Sequence, residues 1–187
     1  MIELLYFILI FFSAFSLGKK ILDKFKTNAE FLEIIIFASA LGFGLFSYAA
    51  LLLGLLGLLY KSIPLFIIFV ILLFSKNEFM FLAAGLKPIT GKIKKLGISL
   101  NLALIIIFFV FVFINFISSL SPPYLWDEVS YNIALPKIYA RHHQIIPVYD
   151  EFRSNYPFNI NMLFTLGILI GNASLAKLFM FSYGTLL

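Results

Sequence analysis

Two adjacent carboxylates, Asp127 and Glu128, directly follow Trp126 in a chain that is 62% hydrophobic and 12% charged. They belong to the polar passage YLWDEVSYNIALPKIYARHHQIIP, which runs from Tyr124 to Pro147. An ionised carboxylate can take a proton from a hydroxyl group or bind a divalent metal ion. The pair is therefore the first candidate for chemistry in this sequence.

The same pair also has a purely structural explanation. Pro122 and Pro123 prevent the preceding helix from continuing. We therefore predict a new helix from Asp127 to about Leu135, with a break near Pro136, which can open another short helix. Aspartate is a favoured N-cap residue, and a carboxylate near the positive end of a helix is stabilising without any catalytic role. The same dipole keeps a carboxylate ionised and available as a base, so spacing alone leaves both interpretations open.

Basic side chains share this passage and its continuation. Lys137 and Arg141 lie within it, and Arg153 follows two further acidic residues. Arg153 is either part of a solvated loop or a contact for an anion. His142 and His143 would point about 100° apart on a helix, so they are predicted to be a solvated interfacial pair and not a shared metal site.

Composition indicates a membrane protein. The 187 residues include 24 phenylalanines and no cysteine, which excludes disulfides, thiolate nucleophiles and cysteine-ligated zinc. The formal net charge of +5 comes mainly from lysines beside apolar runs, a pattern that indicates membrane topology and not nucleic-acid binding. We therefore predict an all-α, polytopic transmembrane helical bundle with short surface helices in an extracytoplasmic loop.

Apolar runs that can cross or enter a bilayer recur along the chain. They are Leu4–Leu17, Phe31–Tyr60, Ile63–Phe74 and Leu100–Ile117, followed by FNINMLFTLGILIG and LFMFSYGTLL. Gly167 and Gly171 indicate either close helix packing or the ordinary glycine content of membrane helices. The last run reaches Leu187 without a polar or basic flank. We expect residues 1–187 to be a single transmembrane domain, the amino-terminal part of a longer protein.

The positions of the lysines predict on which side of the membrane each apolar run begins and ends. The two basic segments carry Lys19, Lys20, Lys24 and Lys26, and then Lys76, Lys87, Lys92, Lys94 and Lys95. By the positive-inside rule both segments are cytoplasmic, and the second one could also bind anionic lipid heads. The amino terminus and the loop 118–161 are then outside, whereas Lys177 is predicted to be cytoplasmic. The bias toward Lys, Ile, Phe and Asn favours a bacterial source, hence the plasma membrane.

The segment WDEVSYNIALPKIYARHHQIIP, followed by NYPFNINMLF, resembles the first extracytoplasmic loop of GT-C type polytopic membrane glycosyltransferases. This group includes the protein O-mannosyltransferases and the lipid A aminoarabinose transferases. In it, a short acidic motif followed within a few residues by an aromatic opens a surface helix just outside the membrane. A proline-containing stretch, here YPF, then leads into the next span. The resemblance covers roughly Pro122 to Phe164.

The resemblance implies an inverting transferase that uses a polyprenyl-phosphate sugar as donor and a glycan, lipid or protein as acceptor outside the cytoplasm. Asp127 would be the catalytic carboxylate, with Glu128 as its acidic companion, and Asp127 would also be the candidate ligand of a divalent metal ion. Charge alone, and not the resemblance, makes Lys137 and Arg141 candidates to neutralise the phosphate leaving group. With Tyr131 and Arg153 they are the candidate substrate-binding residues. Because the donor pocket of such enzymes needs further helices, we expect the 187 residues alone to be inactive.

A second hypothesis is a non-enzymatic membrane module or assembly partner in which Asp127 only caps a helix. Apart from Glu30 and Glu33 near an interface, we expect no ionisable residue inside a span, which argues against a transport pathway. The two hypotheses differ in one respect that can be measured, because only the first requires a negative charge at position 127.

Overall fold

The computed structural model describes residues 2–25, 29–93, 100–155 and 159–186. Within these ranges every regular element is helical, which confirms the predicted all-α class. The α-helices are α1 (Ile2–Leu22), α2 (Phe31–Leu55), α3 (Ser62–Leu73), α4 (Lys76–Ile93), α5 (Leu100–Leu120), α6 (Ala134–His142), α7 (Asn159–Ile170) and α8 (Ala173–Leu186). Single turns of 3-10 helix lie at Asp23–Phe25 and Phe152–Asn155.

Helices α1 and α2 pack against each other in antiparallel directions. The segments Ile2–Phe25 and Phe31–Leu55 are each long and apolar enough to cross a membrane. Gly18 lies against the backbone of Ala38, and Gly42 lies against the backbone of Ala14. A Cβ atom at either glycine would overlap a carbonyl oxygen of the facing helix, so the two backbones are closer than larger residues would permit. We call the two ends of this hairpin the Glu3 end and the Lys20 end.

The third apolar run forms a bent pair of helices. Helix α3 has 12 residues, about 18 Å of rise, and α4 continues from it at an angle of 65°. The ammonium group of Lys61 lies over the ring of Tyr6, 5.6 Å from its centroid, and Lys20 donates a hydrogen bond to the carbonyl oxygen of Phe74 at 2.6 Å. Helix α3 therefore runs from the Glu3 end to the Lys20 end. By length and composition, α3 and α4 can together form a third, broken span.

Much of the second basic segment is helical, because α4 continues through Lys76, Lys87 and Lys92 to Ile93. Near the start of α4 the ring of Phe81 contacts the ring of Phe31, with centroids 5.2 Å apart. This contact places that part of α4 beside the first residue of α2, at the Lys20 end. Lys26, Lys94 and Lys95, which were also counted as topogenic charges, lie outside the described residues.

Helices α7 and α8 form a second hairpin, which does not follow the predicted path. Ser47, near the middle of α2, donates a hydrogen bond to the carbonyl oxygen of Asn159 at the start of α7. Beyond the end of α7, Asn172 donates to Oε1 of Glu3 at 3.0 Å. The chain therefore returns to the Glu3 end after α7. With 12 residues, about 18 Å, α7 is also shorter than a hydrocarbon core of about 30 Å.

Helix α8 packs between α5 and the first hairpin. The rings of Phe116 and Phe181 lie 5.5 Å apart, which joins α5 to α8. The ring of Phe179 packs edge-on against the buried ring of Phe43 in α2 at 5.8 Å. A Cβ atom at Gly167 would meet the backbone of Ala176, so this glycine does mark close packing, here of α7 against α8.

Candidate functional site

The acidic passage folds as two short helices that meet at Ile133. Helical geometry begins at Trp126 and widens into a π-helical turn over Glu128–Asn132, where the amide of Ile133 donates to the carbonyl oxygen of Glu128 at 2.9 Å. The predicted start near Asp127 is confirmed. The predicted break near Pro136 is misplaced, because α6 begins at Ala134 and contains Pro136 in its first turn. A proline is accommodated there because first-turn amides have no partner within their own helix.

Asp127 is exposed and already helical, with φ −65° and ψ −34°. An N-cap residue normally has non-helical angles, so that its side chain can reach back to an amide of the first turn. The Asp127 carboxylate makes no such capping bond to a described residue. The capping interpretation of Asp127 is therefore not supported by this geometry, and the carboxylate is exposed at the Glu3 end.

Glu128 is held on two sides. Its Oε2 accepts a hydrogen bond from the amide of Tyr124 at 3.2 Å. Its Oε1 lies 3.3 Å from Nζ of Lys177 in α8, and the two side chains are only 16% and 8% exposed, respectively. Glu128 is thus a paired, largely buried carboxylate, whereas its neighbour Asp127 is exposed.

The sequence predicts Lys177 in the cytoplasm, on the opposite side from the acidic passage, but the structure places the two at the same end. Its ammonium group lies at the Glu3 end with the acidic passage, where it also donates to the carbonyl oxygen and to Oγ of Ser121, each at 3.4 Å. The same group lies 5.2 Å from the ring centroid of Tyr124. The sequence does contain one signal, a single lysine directly before an apolar run, because a charge beside the hydrocarbon region often has a partner.

Arg153 lies against aromatic rings. Its guanidinium carbon is 4.3 Å from the ring centroid of Tyr131, 5.0 Å from that of Phe152 and 5.3 Å from that of Trp126. A guanidinium nitrogen also lies 3.9 Å from a carboxylate oxygen of Glu151. Guanidinium groups stack favourably on such rings, and stacking leaves their edge donors available. Of the predicted substrate-binding residues, Tyr131 and Arg153 are therefore in contact.

Lys137 and Arg141 lie on the exposed side of α6. They are four residues apart, so they project from the same helix face. The opposite face packs into the core through Leu135 and Tyr139, and burial raises the pKa of the Tyr139 hydroxyl above its ordinary value. Neither cation forms an ion pair with a described residue, and neither shares a contact with the Arg153 cluster among the described residues.

His142 is exposed, as predicted for a solvated pair, whereas His143 is partly buried. The His143 ring stacks on Tyr60 at 4.1 Å, and its Nδ1 lies 2.9 Å from the carbonyl oxygen of Leu59. The amide of Leu59 donates in return to the carbonyl oxygen of His143 at 3.0 Å. His143 has φ 56° at the end of α6, a left-handed geometry typical of a helix terminus. It ties α6 to the turn between α2 and α3.

An apolar groove of about 550 Å³ lies between α5 and α8. It is lined by Ile106, Phe109, Val110, Val112, Phe113, Phe116 and Phe181. Its walls are almost entirely hydrocarbon, and it is open to the surroundings. Phe116 lies one turn before the end of α5, so the groove extends toward the segment that contains Ser121 and contacts Lys177.

Asp127 is the residue that the sequence suggests as the ligand of a divalent metal ion. Among the described residues there is no group of three or more His, Asp or Glu side chains that could hold a metal ion. Asp127 is exposed, and the neighbouring Glu128 is paired with Lys177. Asp127 could thus supply one ligand, the usual protein share for Mg²⁺ bound together with substrate phosphate and water.

Comparisons with known proteins identify one distant relative. No protein-family model matches the chain, and no solved structure matches it. Over 123 residues the chain is 28% identical to an uncharacterised protein of Shigella flexneri, and the match covers 63% of this chain and 56% of that protein. The chain therefore spans about half the length of the curated relative it matches. The name of this relative states no activity. A functional conclusion must therefore come from the residues of the acidic passage.

Proposed function

We propose that this chain is the amino-terminal part of a GT-C type membrane glycosyltransferase. In this proposal the enzyme is a multi-pass protein of a bacterial plasma membrane, with its amino terminus and acidic passage outside the cytoplasm. It transfers a sugar with inversion from a polyprenyl-phosphate donor to a glycan, lipid or protein acceptor. The proposal rests on the resemblance of the acidic passage and on one structural observation, the exposed carboxylate of Asp127 beside the paired carboxylate of Glu128.

Asp127 would act as the general base. A base must reach the acceptor hydroxyl, and Asp127 is exposed at the start of a helix and makes no capping bond to a described residue. The Asp127 carboxylate can therefore contact a substrate that arrives from outside the cytoplasm. The π-helical turn directly after it is consistent with this role, since such turns frequently occur at functional sites.

The cations and the apolar groove would bind the two ends of a lipid-linked donor. Lys137 and Arg141 present their charges from the exposed face of α6, where they would neutralise the phosphate leaving group. Arg153, stacked on Tyr131, would contact the phosphate or the sugar through its free edge. The apolar groove between α5 and α8 offers a surface for the polyprenyl chain.

If the reaction requires a divalent metal ion, Asp127 would be the residue of the acidic passage that holds it. When bound, it would neutralise charge that develops on the leaving group. Transfer that continues unchanged in a strong chelator would remove the metal from the proposal and leave Asp127 as a base alone.

The direct experiment expresses the complete reading frame in membranes and supplies a radiolabelled polyprenyl-phosphate sugar together with a membrane extract as the source of acceptors. We expect label to move from the donor to a non-donor product in a reaction that requires the protein. Analysis of the product's anomeric configuration would test inversion. A complete protein that binds no donor and produces no labelled product would contradict the proposal.

The proposed orientation makes its own prediction. Because the chain has no cysteine, a single cysteine can be placed at Gln144 or at Lys92 and labelled in intact cells with a membrane-impermeant maleimide. We expect Gln144→Cys to react before the membrane is permeabilised and Lys92→Cys to react only afterwards, because the lysine-rich segment should remain in the cytoplasm. The reverse pattern would place the acidic passage away from an outer donor pool and refute the mechanism.

A non-enzymatic membrane module remains the second candidate because the Glu128–Lys177 pair joins the acidic passage to α8. A contact of this kind is also what a purely structural loop would need. The capping role of Asp127 gives that candidate no support, since the carboxylate makes no capping bond to a described residue. The two candidates are separated by whether the negative charge at position 127 is required for any activity.

A further inference from the structure

Lys177 is a largely buried cation that the proposed reaction does not use. Its ammonium group lies 3.3 Å from each carboxylate oxygen of Glu128, and its side chain is 8% exposed. Lysine is almost never buried to this degree without a partner. Its position in α8 therefore depends on Glu128, which lies 49 residues earlier in the chain.

Three residues between the end of α5 and the first turn of the acidic helix contact this one ammonium group. Ser121, just after α5, accepts from it through both its carbonyl oxygen and its Oγ. The ring of Tyr124 packs beside it, and Glu128 binds it directly. Between Ser121 and Trp126 the chain has no regular helix. Lys177 therefore connects the end of α5 to the start of the acidic helix across a segment that is not helical.

We infer that Lys177 is a positioning residue, which binds Glu128 and through it fixes where the Asp127 carboxylate lies. Asp127 makes no capping bond to a described residue, whereas Glu128 is bound from two sides. The location of the exposed carboxylate is thus set by its paired neighbour. The structural part of this inference stands on the contacts alone, and its consequence for catalysis rests on the proposed function.

The structural part can be measured without any transfer activity. Asp127→Cys places the only thiol of the chain at position 127. The rate at which this thiol reacts with a maleimide in permeabilised membranes reports how accessible the side chain at position 127 is. We compare this reporter in four backgrounds, which are Lys177→Met, Lys177→Arg, the exchange Glu128→Lys with Lys177→Glu, and Lys61→Met. Lys61 is the matched control, because it is an exposed lysine at the same end of the molecule, and its ammonium group lies over the ring of Tyr6 and not near Glu128.

We expect Lys177→Met to change the labelling rate at least about fivefold, the change that follows from losing the modest interaction between Lys177 and Glu128. Lys177→Arg and the exchanged pair should restore the original rate to within about twofold, because each re-forms an ion pair, and Lys61→Met should leave it unchanged. If Lys177→Met fails to accumulate in membranes while the arginine and exchanged variants do accumulate, the pairing is supported as well. An unchanged rate in Lys177→Met, or an exchanged pair that behaves no better than the single variant, would overturn the inference.

Transfer by the complete protein carrying Asp127 then tests the catalytic part. Lys177→Met should lower kcat with little change in KM for the donor, and the exchanged pair should recover part of the loss. If no version of the protein transfers sugar, the proposed function fails, yet the labelling comparison still decides whether Lys177 positions the acidic helix. If transfer is normal in Lys177→Met while labelling changes, Lys177 shapes the loop but does not position the catalytic group.

Discussion

Sugar transfer by the complete protein should fall at least about 100-fold when Asp127 is replaced by asparagine, the low end of what a general base contributes. Asparagine has nearly the same shape but cannot accept a proton at neutral pH. Asp127 is exposed and makes no capping bond to a described residue, so the substitution should leave expression and membrane insertion near normal. The measurement is the initial rate of transfer from a polyprenyl-phosphate sugar, normalised to the amount of folded protein.

Glu128→Gln is the matched comparison for Asp127→Asn, because it makes the same chemical change at the next residue. Glu128 is bound to Lys177 and to the amide of Tyr124, so its loss should reduce transfer by a smaller but measurable factor and should also lower stability. Full transfer in the Asp127→Asn protein would refute the catalytic assignment. A larger loss in Glu128→Gln than in Asp127→Asn would instead assign the base to Glu128.

The second large effect concerns the α1–α2 hairpin. Gly42→Ala should destabilise the folded protein by about 1–3 kcal/mol or more, because the added methyl group would overlap the carbonyl oxygen of Ala14 and force the helices apart. The free energy of unfolding in mixed detergent micelles, followed by far-UV circular dichroism, measures this loss. Gly18, which faces Ala38 in the same manner, should behave alike.

Gly44 supplies the control within the same helix. A Cβ atom at Gly44 would meet no atom within 4 Å, so Gly44→Ala should be neutral or slightly stabilising, as expected from the higher helix propensity of alanine. Equal losses for the two variants would show that glycine at position 42 is not required for the contact. A loss confined to Gly42→Ala would confirm that the two helix backbones touch there.

The apolar runs were sufficient to predict the helical hairpin of α1 and α2 and the helix of the fourth run. A run such as Phe31–Tyr60 has few alternatives, because every backbone group in a bilayer must be satisfied within its own segment. The run does not reveal where its helix ends. Helix α2 stops at Leu55 because the chain then turns through Gly57, whose φ of 71° suits glycine, before α3 begins.

The position of Lys177 could not be predicted, because the rule applied to it treats lysines as independent topogenic charges. Its partners Ser121 and Glu128 are 56 and 49 residues away, so no local pattern reveals the ion pair. The junction at Ile133 was missed for a different reason. The sequence predicts the break at Pro136, yet a proline can occupy any position of the first turn. The wide π-helical turn ahead of it has no clear sequence signature.

The separation between Glu128 and Lys177 also has a consequence for biosynthesis. At about 5–20 residues per second, the ribosome needs on the order of 2 to 10 seconds to make the 49 residues that lead from the carboxylate to its cation. During that interval α1 and α2 are complete, but the acidic passage lacks the contact that holds it. Glu128 therefore lacks its Lys177 partner until α8 has been synthesised, so this end of the molecule can assemble fully only after α8 has been made.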